Sequence, residues 1–391
     1  MTPTGLADLV DRRLPQLLAD LEQLVRCESP SADLGAVAAS ADLIAALGAR
    51  RLGVEPRRFT VEGCQHVAFR FGTGPIRVLL LAHHDTVWPI GSLAEHPWSI
   101  DEAGSPAVLR GPGTVDMKAG LAMAIHAMAA VAERGHDLAG VCLLVTGDEE
   151  IGSPTSRALI EEHARGARAC LVLEGAGPSG ALKTARKGTS WYRIGIVGRA
   201  AHAGGEPEKG INAAVELAHL ILAVGALGAP EAGTTVTPTV AAAGTTTNTV
   251  PAAAVLNIDV RARTAAEQER VHAAMLALAP TLPGATLTVA GGINRPPMPR
   301  SSAAGLFAIA GRLADREGLG PLAERSVGGG SDGNFTAALG VPTLDGLGAV
   351  GGGAHAADEH VRLDAIGPRT VLLAALIQEL AGPEPSSREP G

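Results

Sequence analysis

Three acids stand in a row after a short apolar run: Val141-Cys142-Leu143-Leu144-Val145 leads through Thr146-Gly147 into Asp148-Glu149-Glu150-Ile151-Gly152-Ser153. The run reads as a buried strand ending at a turn. Carboxylates crowded at such a strand end repel one another and lose water, and both are costly. A multivalent cation would remove both penalties; a solvated acidic turn is the bland alternative. A second apolar run, Ile76 to Ala82, passes directly into His83-His84-Asp85-Thr86-Val87. Strand alternation puts His83 and Asp85 on one side, where the carboxylate can accept a hydrogen bond from the imidazole and fix the tautomer that a metal-binding histidine needs. His84 points the other way and receives no role.

Further potential ligands lie at comparable places. Asp116, in Arg110-Gly111-Pro112-Gly113-Thr114-Val115-Asp116-Met117-Lys118, precedes a helical apolar pattern from Lys118 to Arg134. It reads as a helix N-cap or as a metal carboxylate aimed by the helix start. Glu174 ends the apolar run Ala169 to Leu173. His355 sits in Gly351-Gly352-Gly353-Ala354-His355-Ala356-Ala357-Asp358-Glu359, with too little apolar surface nearby for a core histidine.

These residues need a scaffold that brings strand ends together. Strands alternating with helices predict an α/β unit with a mostly parallel sheet, and ligands gather at the carboxyl ends of such strands. Helices are expected at 5–26, about 35–52 (signalled by Ser31 and Asp33, stopped by Gly53), 153–164, 303–317 and 365–380. Strands are expected at 58–61, 66–71 and 341–347 as well as at the runs above. Between them the pattern changes: strand 189–198, helix 211–227, strands 235–243 and 253–262, helix 265–278, strand 285–291. That β-α-β-β-α-β order is the ferredoxin-like plait. The expected organisation is therefore a catalytic domain in two parts, 1–187 and 297–391, with an inserted α+β domain at 188–296. The Pro/Ser/Glu-rich tail 381–391 reads as disordered.

Composition narrows the function classes. At 391 residues, two domains are the prior. A net charge of −8, without a basic cluster or a stacking aromatic series, argues against nucleic acid. None of Cys27, Cys64, Cys142 and Cys170 forms a CxxC, so no thiolate zinc site or disulfide framework is expected. No basic-then-apolar segment opens the chain, and no uncharged apolar run approaches bilayer length, so no signal peptide, no membrane span and a cytoplasmic location are expected. No GxGxxG follows the first strand, and the glycine-rich stretches Gly328-Gly329-Gly330 and Gly351-Gly352-Gly353 match no P-loop, so a nucleotide site has no support.

Taken together, His83-His84-Asp85-Thr86-Val87, Gly111 to Lys118, Asp148 to Ser153, Leu173-Glu174, Ala201-His202-Ala203-Gly204 and the His355 loop, in this order, resemble the M20 family of metallopeptidases, above all its glutamate carboxypeptidase branch, which cleaves C-terminal glutamate from folates. The resemblance implies two zinc ions per subunit, with Co2+ or Mn2+ as substitutes. His83 and Glu174 would hold one ion, Glu150 and His355 the other, and Asp116 would bridge them. It makes Asp85 the residue that orients His83 and Glu149 the general base. It also implies that the inserted domain mediates homodimerisation and that His202 reaches the partner's site to stabilise the oxyanion. Arg295, Asn248 and Arg261 match substrate-binding positions, with Arg295 receiving the α-carboxylate of the released amino acid; Arg261 reads equally as a strand-end structural residue.

The implied activity is hydrolysis of an amide bond in a small peptide or N-acyl amino acid, releasing an amino acid with a free carboxylate. Deacylation of the acetylornithine or succinyl-diaminopimelate type is the alternative, and a metal-free, non-catalytic binding protein on the same fold a remote one. Met117 stands where the folate-cleaving branch has Asp, Pro297-Met298 replaces an aromatic, and 2% aromatic residues leave little to stack a pterin ring.

Overall fold

A computed structural model describes residues 5–382, so the tail expected to be disordered lies, from residue 383 on, outside the described residues. The chain forms two compact units. The first runs to Ala185 and resumes at Arg300–Ser326 and from Ser331; the second comprises Arg186–Pro299 and Val327–Gly330.

The first unit is built on a six-stranded sheet in the order Arg57–Val61, Cys64–Arg70, Val141–Thr146, Val78–His83, Ala169–Val172, Thr343–Leu344. Val78–His83 lies parallel to both its neighbours, and Ala169–Val172 parallel to Thr343–Leu344. The hairpin 57–70 is the antiparallel edge. Register places His83 opposite Thr146 and Leu81 opposite Val172, so the carboxyl ends of three adjacent strands finish side by side. Every residue of the two longest parallel strands is buried, which is why they read as continuous apolar runs rather than alternating ones.

Helices cover both faces of the sheet. On one, Arg157–Ala164 and Gly333–Ala338 bury Leu159, Ile160 and Phe335 against Leu79, Leu81, Leu144 and Val172. On the other lies Ala119–Glu133, packed against Leu6–Arg26, Leu34–Leu52 and Leu363–Ala381. The stretch Thr114–Glu133, which carries Asp116, Lys118 and Glu133, has the length and mean hydropathy of a membrane span, but 89% of its apolar window is buried within the fold. It is apolar all round because it is surrounded by protein. Gly120 lets this helix approach the strand end: a Cβ there would stand 2.0 Å from the Leu173 carbonyl oxygen, one residue before Glu174.

Several boundaries differ from expectation for identifiable reasons. The helix expected from Ser153 begins at Arg157, because the Asp148 carboxylate holds the main-chain N–H groups of Thr155 and Ser156. Leu34–Leu52 is capped by Asp33, whose carboxylate accepts from Ala36 N–H, and ends at left-handed Gly53; Ser31 has another task, described below. Only Thr343–Leu344 of the strand expected at 341–347 joins the sheet. The residues before Arg110 contribute to a small antiparallel sheet, ordered Gly351–Gly352, His360–Arg362, Val108–Arg110, Ser99–Asp101.

The second unit is a four-stranded antiparallel sheet in the order Thr235–Ala243, Ala253–Ala262, Gly188–Val197, Thr286–Arg295. Helices Ala213–Gly225 and Ala265–Leu276 cover one face, burying Leu217, Leu220, Val224, Val271 and Met275 against Ile194, Ile196, Leu256 and Ile258. This is the β-α-β-β-α-β plait. The segment Val327–Gly330, which sequence reading left in the catalytic part, clusters with the plait instead. Lys187 N–H bonds the Val327 carbonyl, and Arg186 donates to the carbonyls of Gly329 and Gly330.

Candidate metal centre

The first unit brings His83, Asp116, Glu150, Glu174 and His355 together. His83, Asp116 and Glu174 offer three ligand atoms within 4.8 Å of one another, and Asp116, Glu150 and His355 offer a second such set. Asp116 belongs to both, and its two oxygens are divided. Oδ1 lies 3.1 Å from His83 Nε2, and Oδ2 lies 3.2 Å from His355 Nε2. Glu174 Oε1 is 3.6 Å from His83 Nε2, and Glu150 Oε2 is 3.2 Å from His355 Nε2. The helix start at Ala119 has no side-chain cap, so the N-cap reading of Asp116 falls.

Each side chain is aimed by its element. His83 is the last residue of its strand. Glu149 and Glu150 open a single turn after Thr146. Their main-chain N–H groups each donate to Asp85, at 3.1 Å to Oδ1 and 3.1 Å to Oδ2. Ser31 Oγ donates to the same carboxylate at 2.6 Å. Asp85 therefore ties the histidine strand to the glutamate turn. His83 Nδ1 lies 3.0 Å from the Asp85 main-chain carbonyl and 3.5 Å from its carboxylate, so the carbonyl is the nearer acceptor, a correction to the simple His-carboxylate pair. Either bond puts the Nδ1 proton inside and leaves Nε2 facing Asp116 and Glu174. His355 is carried on the loop between Gly351–Gly352 and His360–Arg362, in the left-handed region at φ 65°.

The electrostatics fit a cation pair. Three carboxylates face two imidazoles, with His83 and Glu174 buried, Asp116 and Glu150 half-buried and His355 exposed. Burial opposes charge on Asp116, but hydrogen bonds from His355 and His83 overcome it and hold its carboxyl well below the usual range. Hydrogen bonds to Asp116 and Glu150 push His355 up to about 10. Burial opposes protonation of His83, yet bonds to Asp116, Asp85 and Glu174 raise it well above its ordinary value. Burial raises Glu150. Glu150 Oε1 is buried and lacks a hydrogen-bond partner, an orphaned acceptor of the kind that a metal satisfies. Imidazole nitrogen and carboxylate oxygen are ordinary donors to zinc and similar divalent ions. The residues present thus fit a dinuclear centre, with Asp116 as the shared carboxylate.

Sequence reasoning missed the groups that hold these loops. Asp148, the first of the three acids, faces away from the cluster: its carboxylate accepts from Thr155 N–H, Thr155 Oγ1, Ser156 N–H and Ser156 Oγ. For that acid neither expectation holds: it is 1% exposed, so it is not a solvated turn residue, and it lies in neither of the two ligand sets that share Asp116. Cys64, His66 and Asp148 form a third group close enough to share an ion, but their atoms are committed elsewhere. His66 Nδ1 accepts from Gly147 N–H at 3.1 Å, its Nε2 faces Thr155 Oγ1 at 3.1 Å, and the Cys64 thiol donates to the Gly147 carbonyl. Burial pushes that thiol up to about 11. His84 is buried between Ser40 Oγ and the Gln65 carbonyl, on the side opposite His83.

The remaining expected residues lie in the second unit. His202 is exposed, and its Nδ1 accepts from the N–H groups of Gly204 and Gly205 at 3.2 and 2.9 Å. A main-chain N–H can only donate, so Nδ1 carries no proton and Nε2–H faces outward. Asn248 is exposed, and its main-chain carbonyl accepts from Ala203 N–H, joining it to the His202 loop. Arg295 is buried, with Nη1 3.1 Å from Asn294 Oδ1. Arg261 forms a two-pronged pair with Asp259, at 2.8 and 2.7 Å, on the same face of its strand, which favours its structural reading.

Over 382 residues, 94% of this chain, the sequence is 33% identical to carboxypeptidase G2 of Pseudomonas sp. (strain RS-16), of which it covers 89%. It is 41% identical to a succinyl-diaminopimelate desuccinylase of Methylobacterium nodulans over 146 residues, 35% of each chain. The crystal structure of an M20 family metallo-carboxypeptidase from Sulfolobus solfataricus matches with a TM-score of 0.75, covering 93% of this chain and 99% of that one, at 18% identity, a likeness of fold. The model of peptidase family M20/M25/M40 matches residues 79–379, and the chain belongs to that family.

Proposed function

We propose that this hydrolase uses two zinc ions to cleave the amide bond of a small peptide or N-acyl amino acid, releasing an amino acid with a free carboxylate, in the manner of a glutamate carboxypeptidase. The division of the two Asp116 oxygens between His83 and His355 carries the dinuclear part of the reading. Bound there, the ions would polarise the scissile carbonyl and lower the pKa of a shared water. Glu149 takes a proton from the attacking water and delivers it to the leaving amine. Its turn is held by Asp85 through the Glu149 N–H, which keeps the base beside the ligand Glu150 without making it one. His202 offers Nε2–H to the oxyanion, a role that its tautomer allows. Arg295 takes the carboxylate of the departing amino acid, since a guanidinium fork matches it in shape and charge.

The extended similarity to carboxypeptidase G2 favours carboxypeptidase action. The shorter similarity to desuccinylases keeps acyl removal as the second reading. The test is release of free amino acid from a panel of dipeptides, N-acyl glutamates and N-succinyl amino acids, with zinc supplied. Best turnover on C-terminal glutamate supports the first reading, and best turnover on succinyl substrates replaces it with the second. Arg295→Ala should raise KM at least about tenfold for substrates with a free α-carboxylate, the loss of a hydrogen bond to a charged group. Unchanged kinetics would remove Arg295 from the site.

Homodimerisation through the plait is part of the same proposal. Helix Ala213–Gly225 leaves Leu222 75% and Val215 43% exposed, among Ala218, His219 and Ala223. An apolar helix face without charge suits a covered surface. Leu222→Glu is expected to shift the sedimentation mass from dimer to monomer; a dimer that persists moves the interface elsewhere.

A further inference from the structure

Glu359 has no part in the chemistry above, yet it is 3% exposed and its carboxylate is fully engaged. Oε2 accepts from Trp88 Nε1–H at 2.6 Å and from Gly113 N–H at 2.9 Å. Oε1 accepts from the N–H groups of Val115 at 2.9 Å and Asp116 at 3.2 Å. The four donors come from two places. Trp88 lies on the segment that continues from His83 and Asp85, and the three main-chain donors curl round the anion on the loop that presents Asp116. Glu359 itself ends the loop that presents His355, where the next residue, His360, pairs antiparallel with Arg110. One carboxylate therefore joins the three loops that carry His83, Asp116 and His355.

We propose that Glu359 is a positioning residue that holds Asp116 and His355 in register for binding both metal ions, an inference that rests on the dinuclear reading. Two cations sharing one carboxylate tolerate little error in where its oxygens lie, and Asp116 sits on an irregular turn without a ladder to hold it. The main-chain N–H of Asp116 is fixed by Glu359 while its side chain faces His83 and His355. Charge-assisted hydrogen bonds to an anion are the strong ones, and partners of this kind, one step removed from a metal, govern affinity nearly as much as the ligands do. Lys118, on the far side of the turn, donates to the Cys27 carbonyl at 2.9 Å, so the Asp116 segment is anchored at both ends.

The experiment is zinc binding by chelator competition, with melting of the metal-free protein followed in parallel. Glutamine at this position keeps one acceptor and turns an NH2 toward N–H donors. Glu359→Gln is expected to weaken zinc binding roughly 10- to 100-fold, and excess zinc should restore its kcat. Trp88→Phe removes one donor and leaves the loops intact, so it should shift affinity in the same direction by a smaller factor. A Glu359→Gln protein that melts lower but binds both ions as tightly as wild type has lost only stability, and the proposal falls. If that variant does not fold, unchanged affinity in Trp88→Phe has the same force. Wild type that takes up no zinc would instead overturn the dinuclear reading beneath it.

Discussion

Asp116→Ala is expected to leave a folded protein that no longer holds two metal ions and has lost at least about a thousandfold in kcat/KM. The carboxylate belongs to both ligand sets, so its loss opens both at once, whereas loss of Glu174 or of Glu150 opens one. Metal ions stabilise transition-state charge by several kcal/mol, and about 4 kcal/mol is a thousandfold in rate. Removal also leaves His83 and His355 without the carboxylate that each of them faces. Metal content after dialysis, read beside kinetics and a melting curve, checks the result. A variant with two ions and near-normal turnover would show that the split oxygens of Asp116 are a hydrogen-bonding arrangement and not a bridge.

Glu149→Gln should behave differently. Its kcat is expected to fall by about a hundred- to ten-thousandfold, the usual contribution of a general base, with two ions still bound and KM little changed. Glu149 is in neither ligand set, and its turn is held through main-chain N–H groups that glutamine retains. The contrast between the two variants separates base from ligand: both lose turnover, and only Asp116→Ala loses metal. Metal lost together with activity in Glu149→Gln would make Glu149 a ligand. Unimpaired kcat would move the base elsewhere.

Much of this site is legible because its ligands sit at strand ends, and buried parallel strands announce themselves as apolar runs. Val78–His83 and Val141–Thr146 could be read that way, and their register makes His83 and the 149–150 turn neighbours. The chemistry of a strand-end residue also follows from its type, which is why His83 and Glu174 are identifiable from the sequence. What stays hidden is the interior hydrogen bonding. Asp148 and Glu150 are the same kind of residue two positions apart, yet one faces Thr155 and Ser156 and the other His355. Nothing in the order of letters says which way each turns. Glu359 shares that fate, because three of its four partners are main-chain groups more than two hundred residues away, and main-chain donors have no sequence signature. Short elements such as His360–Arg362 are too brief for a periodic signal and form only because their partners already lie alongside.

The plait leaves and rejoins the rest of the chain through adjoining residues: Arg186 N–H bonds the Met298 carbonyl at 2.9 Å, and Met298 N–H returns to the Arg186 carbonyl at 3.0 Å. Its two ends thus meet at one bridged pair. A domain whose ends meet adds almost no separation for the host chain to close, so the host has little loop-closure entropy to overcome however long the insertion is. The length and surface of the plait can therefore change without changing the separation that the host chain must close.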